Sequence, residues 1–139
     1  MIGRCLCGKV KFEILCAKLG IYHCHCSQCR KLTGTAFNTG CITPPETFKW
    51  LSGETSISTY NDHSGYRASF CNNCGSSVPN KGRLPFMWIP AGTIEQTDKL
   101  EVKAHLFVAS KADWDRIPQG VMKFETMPNL EEMIGLLQQ

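Results

Sequence analysis

Seven of the nine cysteines lie in three tight clusters whose spacing is that of metal ligands. Cys5 and Cys7 form a C-x-C step, Cys71 and Cys74 form a C-x-x-C step, and Cys24-His-Cys-Ser-Gln-Cys29 contains both. Two thiolates one or two residues apart can bind one cation without straining the backbone. Seven sulfurs divide into four, which close a structural zinc site, and three, which leave one position of a zinc ion open for chemistry.

A glycine follows each of the two outer cysteine pairs directly, Gly8 after the first and Gly75 after the second. Glycine permits a tight turn that brings backbone N–H groups close to the sulfurs. We therefore predict two similar knuckles that share one structural zinc ion. Its four ligands are predicted to be Cys5, Cys7, Cys71 and Cys74.

The middle cluster is predicted to hold a second, catalytic zinc ion through Cys24, Cys26 and Cys29. In an extended C-x-C step the middle side chain points away from the two sulfurs. His25, and likewise His23, is therefore predicted to be a hydrogen-bonding neighbour rather than a ligand. The two cysteines outside the clusters, Cys16 and Cys41, are expected to be small buried hydrophobic residues.

Other uses of these cysteines fit the sequence less well. An odd number of cysteines at such close spacing is a poor disulfide framework and favours metal binding in a reducing compartment. Iron–sulfur proteins usually show runs with C-x₂-C-x₂-C spacing, which are absent here. A DNA-binding zinc ribbon would carry basic and aromatic residues around its cysteines, whereas this chain has mixed surroundings.

Positive charge beside the open zinc position would help it to accept an anionic thiol. Arg30 and Lys31 directly follow the third thiolate of the middle cluster, and we predict that they bind the carboxylates of a peptide-like thiol. The alternative is that they are two solvated charges on a short helix. Arg67, Lys111 and Trp114 are weaker candidates.

Composition limits the remaining possibilities. The chain of 139 residues has the size of one domain, taken as 1–139, and 15 Lys and Arg against 12 Asp and Glu give a net charge of +3. Two thiolate-bound zinc ions would bring that charge near zero, so nucleic acid is not an expected partner. An apolar run of about 18 residues and a leader-like N-terminal segment are both missing, so we expect a cytoplasmic protein without a membrane span. The oligomeric state is not indicated.

Short alternating segments predict a mainly β fold. Val10, Phe12 and Ile14 alternate with charged residues, which predicts a half-buried strand. Further strands are predicted near 35–43, 48–51, 56–60, 66–70, 86–90 and 105–109. One short helix is predicted over 27–33, with Ser27 as its N-cap and Gly34 as its end. A second, C-terminal helix is predicted from the spacing of Leu130, Met133, Ile134 and Leu137.

Several segments together resemble the glutathione-dependent formaldehyde-activating enzyme family, which includes the centromere protein V type domain. The resemblance is carried by three cysteine motifs and three downstream segments. They are Gly3-Arg-Cys-Leu-Cys-Gly-Lys-Val-Lys-Phe12, Cys24-His-Cys-Ser-Gln-Cys-Arg-Lys-Leu-Thr-Gly34, Phe70-Cys-Asn-Asn-Cys-Gly-Ser76, Ala91-Gly-Thr-Ile94, His105-Leu-Phe-Val-Ala-Ser-Lys-Ala-Asp-Trp114 and Ile117-Pro-Gln-Gly120.

The resemblance implies an Mss4-like fold of coiled β-sheets with the two zinc ions divided as above. It also implies carbon–sulfur lyase chemistry, in which glutathione and formaldehyde condense to S-hydroxymethylglutathione. Two function classes follow from the sequence: a zinc-dependent lyase acting on a small thiol adduct, and a zinc-stabilised binding module without catalytic activity. A cleft beside the second metal site, without a fourth protein ligand, would favour the enzyme.

Overall fold

The computed structural model describes residues 1–82 and 85–137 and is mainly β with two short helices, as predicted. The strands are β1 (Ile2–Arg4), β2 (Lys11–Ile14), β3 (Leu19–Cys24), β4 (Asn38–Thr43), β5 (Phe48–Ser52), β6 (Ile57–Asn61), β7 (Arg67–Cys71), β8 (Asn80–Lys81), β9 (Met87–Pro90), β10 (Leu100–Leu106) and β11 (Met122–Phe124). The helices are α1 (Ser27–Thr33) and α2 (Leu130–Leu137). Neither helix is long enough to cross a membrane.

The strands form one large sheet, one small sheet and a hairpin. The large sheet has six strands in the order β11-β10-β3-β4-β9-β8, in which β10 runs parallel to β3 and β11 and the other pairs are antiparallel. The small sheet is β1-β2-β5, and β6 and β7 pair as an antiparallel hairpin. Strand β3 therefore lies in the middle of the large sheet, and its last residue is Cys24.

The small sheet packs on one face of the large sheet. Phe12 and Ile14 of β2 are fully buried against Ile21, Cys41 and Ile89 of the large sheet, as their alternation predicts. Of the two unclustered cysteines, Cys41 is buried as expected, whereas Cys16 is only partly buried and packs against the edge of the same cluster. Burial of these apolar groups is the main favourable contribution to folding on this face.

Helix α2 packs on the opposite face of the large sheet. Met133 and Leu137 are buried there with Tyr22, Ala104 and Leu106. The prediction that the C-terminal helix packs on the core of its own chain is therefore confirmed. Its Asn129 side chain accepts a hydrogen bond from the backbone N–H of Glu132 at 2.8 Å, which caps the first turn.

The strand predictions omitted β1, β3, β8 and β11, and two of the differences from the structure have a clear physical reason. Strand β3 was not predicted because residues 19–22 are all buried, so the segment lacks the alternation of a half-buried strand. The strand predicted near 105–109 is wrong in its bounds, since β10 ends at Leu106. The next residue, Phe107, has φ 57° and ψ 41°, a left-handed conformation that ends the ladder.

Candidate metal centres and the adjoining cavity

The four sulfurs of the outer cysteine pairs meet at one point. Cys5 and Cys7 lie in the turn between β1 and β2, Cys71 ends β7, and Cys74 lies in the turn that follows. Their sulfurs all lie within 4.8 Å of one another. The cluster therefore brings two segments that are distant in sequence to one set of four soft donors, which suits zinc.

The two turns that carry these sulfurs have the same local geometry. Gly8 and Gly75 have φ of 74° and 75°, and their N–H groups donate to the carbonyls of Cys5 and Cys71 at 3.0 and 2.8 Å. Only glycine adopts this left-handed conformation at little cost, so the two glycines carry the similarity that the sequence predicted. The N–H of Val10 donates to the sulfur of Cys5 at 3.3 Å.

Polar contacts tie the two turns together. The N–H of Leu6 donates to the hydroxyl of Ser76 at 2.9 Å, and the ammonium of Lys9 donates to the side-chain oxygen of Asn73 at 3.0 Å. The Ser76 hydroxyl in turn lies 3.3 Å from the sulfur of Cys74. This hydroxyl and the backbone N–H of Ser76 lower the pKa of Cys74 to about 5, which favours the thiolate that binds metal.

The middle cluster lies where β3 meets α1. Cys24 ends the strand, Cys26 caps the helix and Cys29 is buried in the first helical turn. The predicted N-cap, Ser27, is wrong: the cap is Cys26, whose sulfur accepts from the backbone N–H of Cys29 at 3.4 Å. The three sulfurs lie within 4.8 Å of one another, and the described residues place no fourth cysteine, histidine or carboxylate with them.

The pKa values of the three thiols in this cluster indicate that a bound cation is needed for all three to ionise. Sulfur contacts with Cys24 and Cys29 lower the pKa of Cys26 to about 2, whereas contacts with Cys26 and Cys29 raise the pKa of Cys24 well above its usual value. The three thiols thus cannot all ionise so close together unless positive charge compensates them. A soft divalent cation such as zinc fits this donor set, and its charge would allow all three thiolates to form.

The histidines of this region point away from the sulfurs, as the extended C-x-C geometry predicts. His23 Nδ1 lies 2.8 Å from the hydroxyl of Thr39. His25 is fully buried, with Nε2 2.8 Å from His105 Nδ1 and Nδ1 2.8 Å from a carboxylate oxygen of Asp115. Neither histidine contacts the cluster, so each is a hydrogen-bonding neighbour.

The chain from Asp115 through His25 to His105 was not predicted from the sequence. His25 Nε2 and His105 Nδ1 lie at hydrogen-bond distance, whereas the Asp115 carboxylate lies at ion-pair distance from His25 Nδ1 without a hydrogen bond between them. These contacts hold the residue between Cys24 and Cys26 against β10 and the loop after it. Separate segments supply the three side chains, and no local spacing signals their contact.

A cavity of about 420 Å³ opens on the other side of β3, and the sulfurs of the middle cluster form part of its wall. Tyr22 and Cys24 line it, whereas His23 lies on the opposite face, because side chains alternate along a strand. The volume is in the range of small-molecule sites, about 300–1,000 Å³. The middle cluster is therefore accessible to a small ligand.

Tyr66 places a polar side chain of the cavity wall beside the middle cluster. Its hydroxyl lies 3.7 Å from the sulfur of Cys29. Asp62 holds Tyr66 in place by accepting from its backbone N–H at 2.8 Å, and Gln28 of α1 donates to Asp62 at 2.9 Å. Burial and the nearby sulfur of Cys29 raise the pKa of Tyr66, so it stays a neutral O–H donor at physiological pH. Tyr66 was not among the site residues predicted from the sequence.

The predicted substrate-binding charges lie outside the cavity wall. Arg30 donates to the carbonyl of Ser110 at 3.3 Å, and Lys31 is exposed on α1. Of the weaker candidates, Arg67 lines the cavity, whereas Trp114 is exposed and Lys111 donates to the carbonyl of Asp115 at 3.2 Å. Arg67 is therefore the candidate cation that the fold brings to the site.

The chain is similar to a known family and to solved structures. A family model described as glutathione-dependent formaldehyde-activating enzyme matches residues 1–110. A crystal structure of a Rhodobacter sphaeroides protein is similar with a TM-score of 0.59 and 18% identity, over 89% of this chain and 99% of that chain. No curated protein matches. At this identity the likeness to the crystal structure shows the fold alone, whereas the family match contains all seven clustered cysteines.

Proposed function

Because the chain belongs to the glutathione-dependent formaldehyde-activating family, we propose that it is a zinc-dependent carbon–sulfur lyase acting on a small thiol adduct. The observation that supports this most is the opening of the three-sulfur cluster onto a cavity of about 420 Å³. A zinc ion with three protein ligands and a reachable fourth position is the arrangement of catalytic zinc. The reaction to test first is condensation of glutathione with formaldehyde to S-hydroxymethylglutathione, and its reverse.

The other cluster is proposed to bind a purely structural zinc ion. Cys5 and Cys71 are fully buried in a small core with Val10 and Val78, which supports a role in folding. A metal bound there joins the N-terminal strands to the β6–β7 hairpin and so closes a long loop of chain. Closure of a long loop is where a metal crosslink stabilises most.

In the proposed reaction the substrate thiol binds at the three-sulfur cluster. A zinc ion held by Cys24, Cys26 and Cys29 would supply positive charge that favours the thiolate form of the substrate. The cavity walls hold the aldehyde next to that sulfur and limit the access of water. The protonated hydroxyl of Tyr66 lies beside Cys29 and is proposed to donate a hydrogen bond to the aldehyde oxygen.

The proposed step balances without any oxidant or reductant. The thiolate electron pair forms a new C–S bond to the carbonyl carbon, and the carbonyl π pair moves to its oxygen. That oxygen takes the proton of the Tyr66 hydroxyl, which solvent restores. In the reverse direction Tyr66 first loses its proton to solvent, and the resulting phenolate accepts the hydroxyl proton of the adduct as the C–S bond breaks. General acid–base assistance of this kind contributes about 10²–10⁴-fold in rate.

Positive side chains are proposed to assist substrate binding, one on the cavity wall and two farther from it. Arg67 lines the cavity and is placed to contact a substrate carboxylate directly. Arg30 and Lys31 lie on α1 outside the wall, so their proposed role is to attract an anionic thiol toward the cavity. We also propose a cytoplasmic location, since nine free thiols suit a reducing compartment.

The rate of S-hydroxymethylglutathione formation and breakdown tests the proposal. Wild-type protein should accelerate both directions, and Cys26→Ser should abolish the effect while the protein stays folded. Cys16→Ser is the matched control, because Cys16 lies outside both clusters and should leave the rate unchanged. A wild-type protein that leaves the rate unchanged would exclude the formaldehyde–glutathione reaction. A site that also binds no thiol would favour a zinc-stabilised binding module.

A further inference from the structure

The floor of the cavity is one face of the large sheet, on which Asn38 and Asn80 are the buried polar residues and the other large side chains are apolar. Tyr22 of β3, Ile42 of β4, Trp88 of β9 and Leu106 of β10 line it side by side, in agreement with their strand pairing. Met133 of α2 lines the same space from above the sheet. A ligand whose sulfur reaches Cys24 therefore extends over aromatic and aliphatic surface.

We propose that the site prefers thiol adducts with an apolar ring or chain over glutathione itself. The inference rests on the proposed function and specifies its substrate class. Glutathione carries two carboxylates and an ammonium group, and burying a charge against apolar surface costs free energy unless it is paired. Among the described residues, Arg67 is the one cationic side chain on the cavity wall. An aromatic or alkyl group would instead bury apolar area against this floor, which favours binding.

Phe107 gives an independent reason to assign the apolar wall to ligand binding. Its ring lines the cavity, and it has φ 57°, the only positive φ at a non-glycine residue in the described part of the chain. A bulky residue in this conformation is strained, and such strain is concentrated at ligand sites. Asparagine tolerates the same backbone conformation, so Phe107→Asn removes the ring without adding backbone strain.

Binding of three thiols to cobalt-substituted protein tests the proposal. The probes are 2-phenylethanethiol, glutathione and 2-mercaptoethanol, and the readout is the thiolate-to-cobalt charge-transfer absorption. We expect 2-phenylethanethiol to bind at least ten-fold more tightly than either of the other two thiols. Glutathione binding as tightly as 2-phenylethanethiol would overturn the apolar preference while leaving the proposed function in place. If none of the three thiols changes the absorption, the proposed function itself fails.

Two variants test whether the apolar wall contributes to binding of the apolar thiol or whether a substitution simply perturbs the metal site. Phe107→Asn should weaken 2-phenylethanethiol at least three-fold and leave 2-mercaptoethanol unchanged. Trp114→Ala is the control, because Trp114 is an exposed aromatic residue outside the cavity wall and should affect neither probe. Equal weakening of both probes by Phe107→Asn, or unchanged 2-phenylethanethiol binding, would contradict the assignment.

Discussion

The carboxylate of Asp115 lies 2.8 Å from Nδ1 of His25, whose own neighbours in the chain are two thiols of the middle cluster. Both side chains are buried, and His25 Nε2 lies 2.8 Å from His105 Nδ1. Cys24 and Cys26 line the cavity, whereas His25 does not. The imidazole is thus buried on the side of the C-x-C step that faces away from the cavity, and its contacts fix the backbone of Cys24 and Cys26.

Removal of this anchor should lower both stability and metal affinity. Asp115→Ala removes the polar group beside Nδ1 of the buried imidazole, so the free energy of unfolding should fall by about 1–3 kcal/mol in urea titrations. Zinc affinity of the middle cluster should fall about ten-fold or more, as when other groups that orient ligands are lost. Asp113→Ala, at an exposed position nearby, should change neither quantity. Unchanged stability of Asp115→Ala would refute the anchoring role.

The two cysteine clusters should differ in their effect on folding. Cys71→Ser should prevent or severely weaken folding, because a structural zinc site contributes about 10 kcal/mol or more of linked free energy. Cys29→Ser should leave a folded protein with one zinc ion fewer, since its cluster closes only a short loop. Circular dichroism and elemental analysis measure the two effects. Equal collapse of both variants would contradict the division between a structural and a catalytic site.

Metal content and its removal give a direct test of both sites. Protein purified without added metal should contain two zinc ions per chain. A chromogenic chelator should quickly remove the zinc ion of the middle cluster, which the open cavity exposes. The zinc ion of the four-cysteine cluster should be removed slowly, and its loss should unfold the protein. Folded protein that contains no zinc or other metal would exclude both metal centres.

Tyr66→Phe should separate proton transfer from metal binding. Loss of the hydroxyl 3.7 Å from the sulfur of Cys29 should slow formation and breakdown of the thiol adduct by about 10²–10⁴-fold. Zinc content should stay the same, because Tyr66 is not a proposed ligand. Tyr60→Phe is the control on the exposed part of the hairpin. A Tyr66→Phe rate equal to that of wild type would remove this residue from the mechanism.

Charge substitutions should rank the three candidate cations by distance from the site. Arg67→Ala should raise the KM for glutathione more than the double variant Arg30→Ala/Lys31→Ala, because only Arg67 lines the cavity. The effect of the double variant should disappear at high salt, where long-range attraction is screened. Lys49→Ala, at an exposed position on β5, should have no effect. A larger effect of the double variant would reverse the assignment.

The sequence by itself determined the features that depend on a few neighbouring residues. The C-x-C and C-x-x-C spacings, the glycines after them and the outward direction of His25 all follow from local backbone geometry. Alternation predicted the buried face of β2, and the 3.6-residue period predicted α2, because each element buries one face. The grouping of seven cysteines into sets of four and three also agrees with the positions of their sulfurs.

Tertiary structure alone decided what surrounds the middle cluster. The adjacent residues Tyr66 and Arg67 come from one segment, and Phe107 and Asp115 come from two others. Their positions depend on strand order and loop conformation, which local periodicity does not encode. Strand β3, buried on both faces, has no alternation to reveal it. Arg30 and Lys31 follow the third thiolate in sequence, yet the turn of α1 carries them away from the cavity. Proximity in sequence constrains backbone contacts within a few residues, whereas the cavity depends on non-local packing of sheet, hairpin and helix.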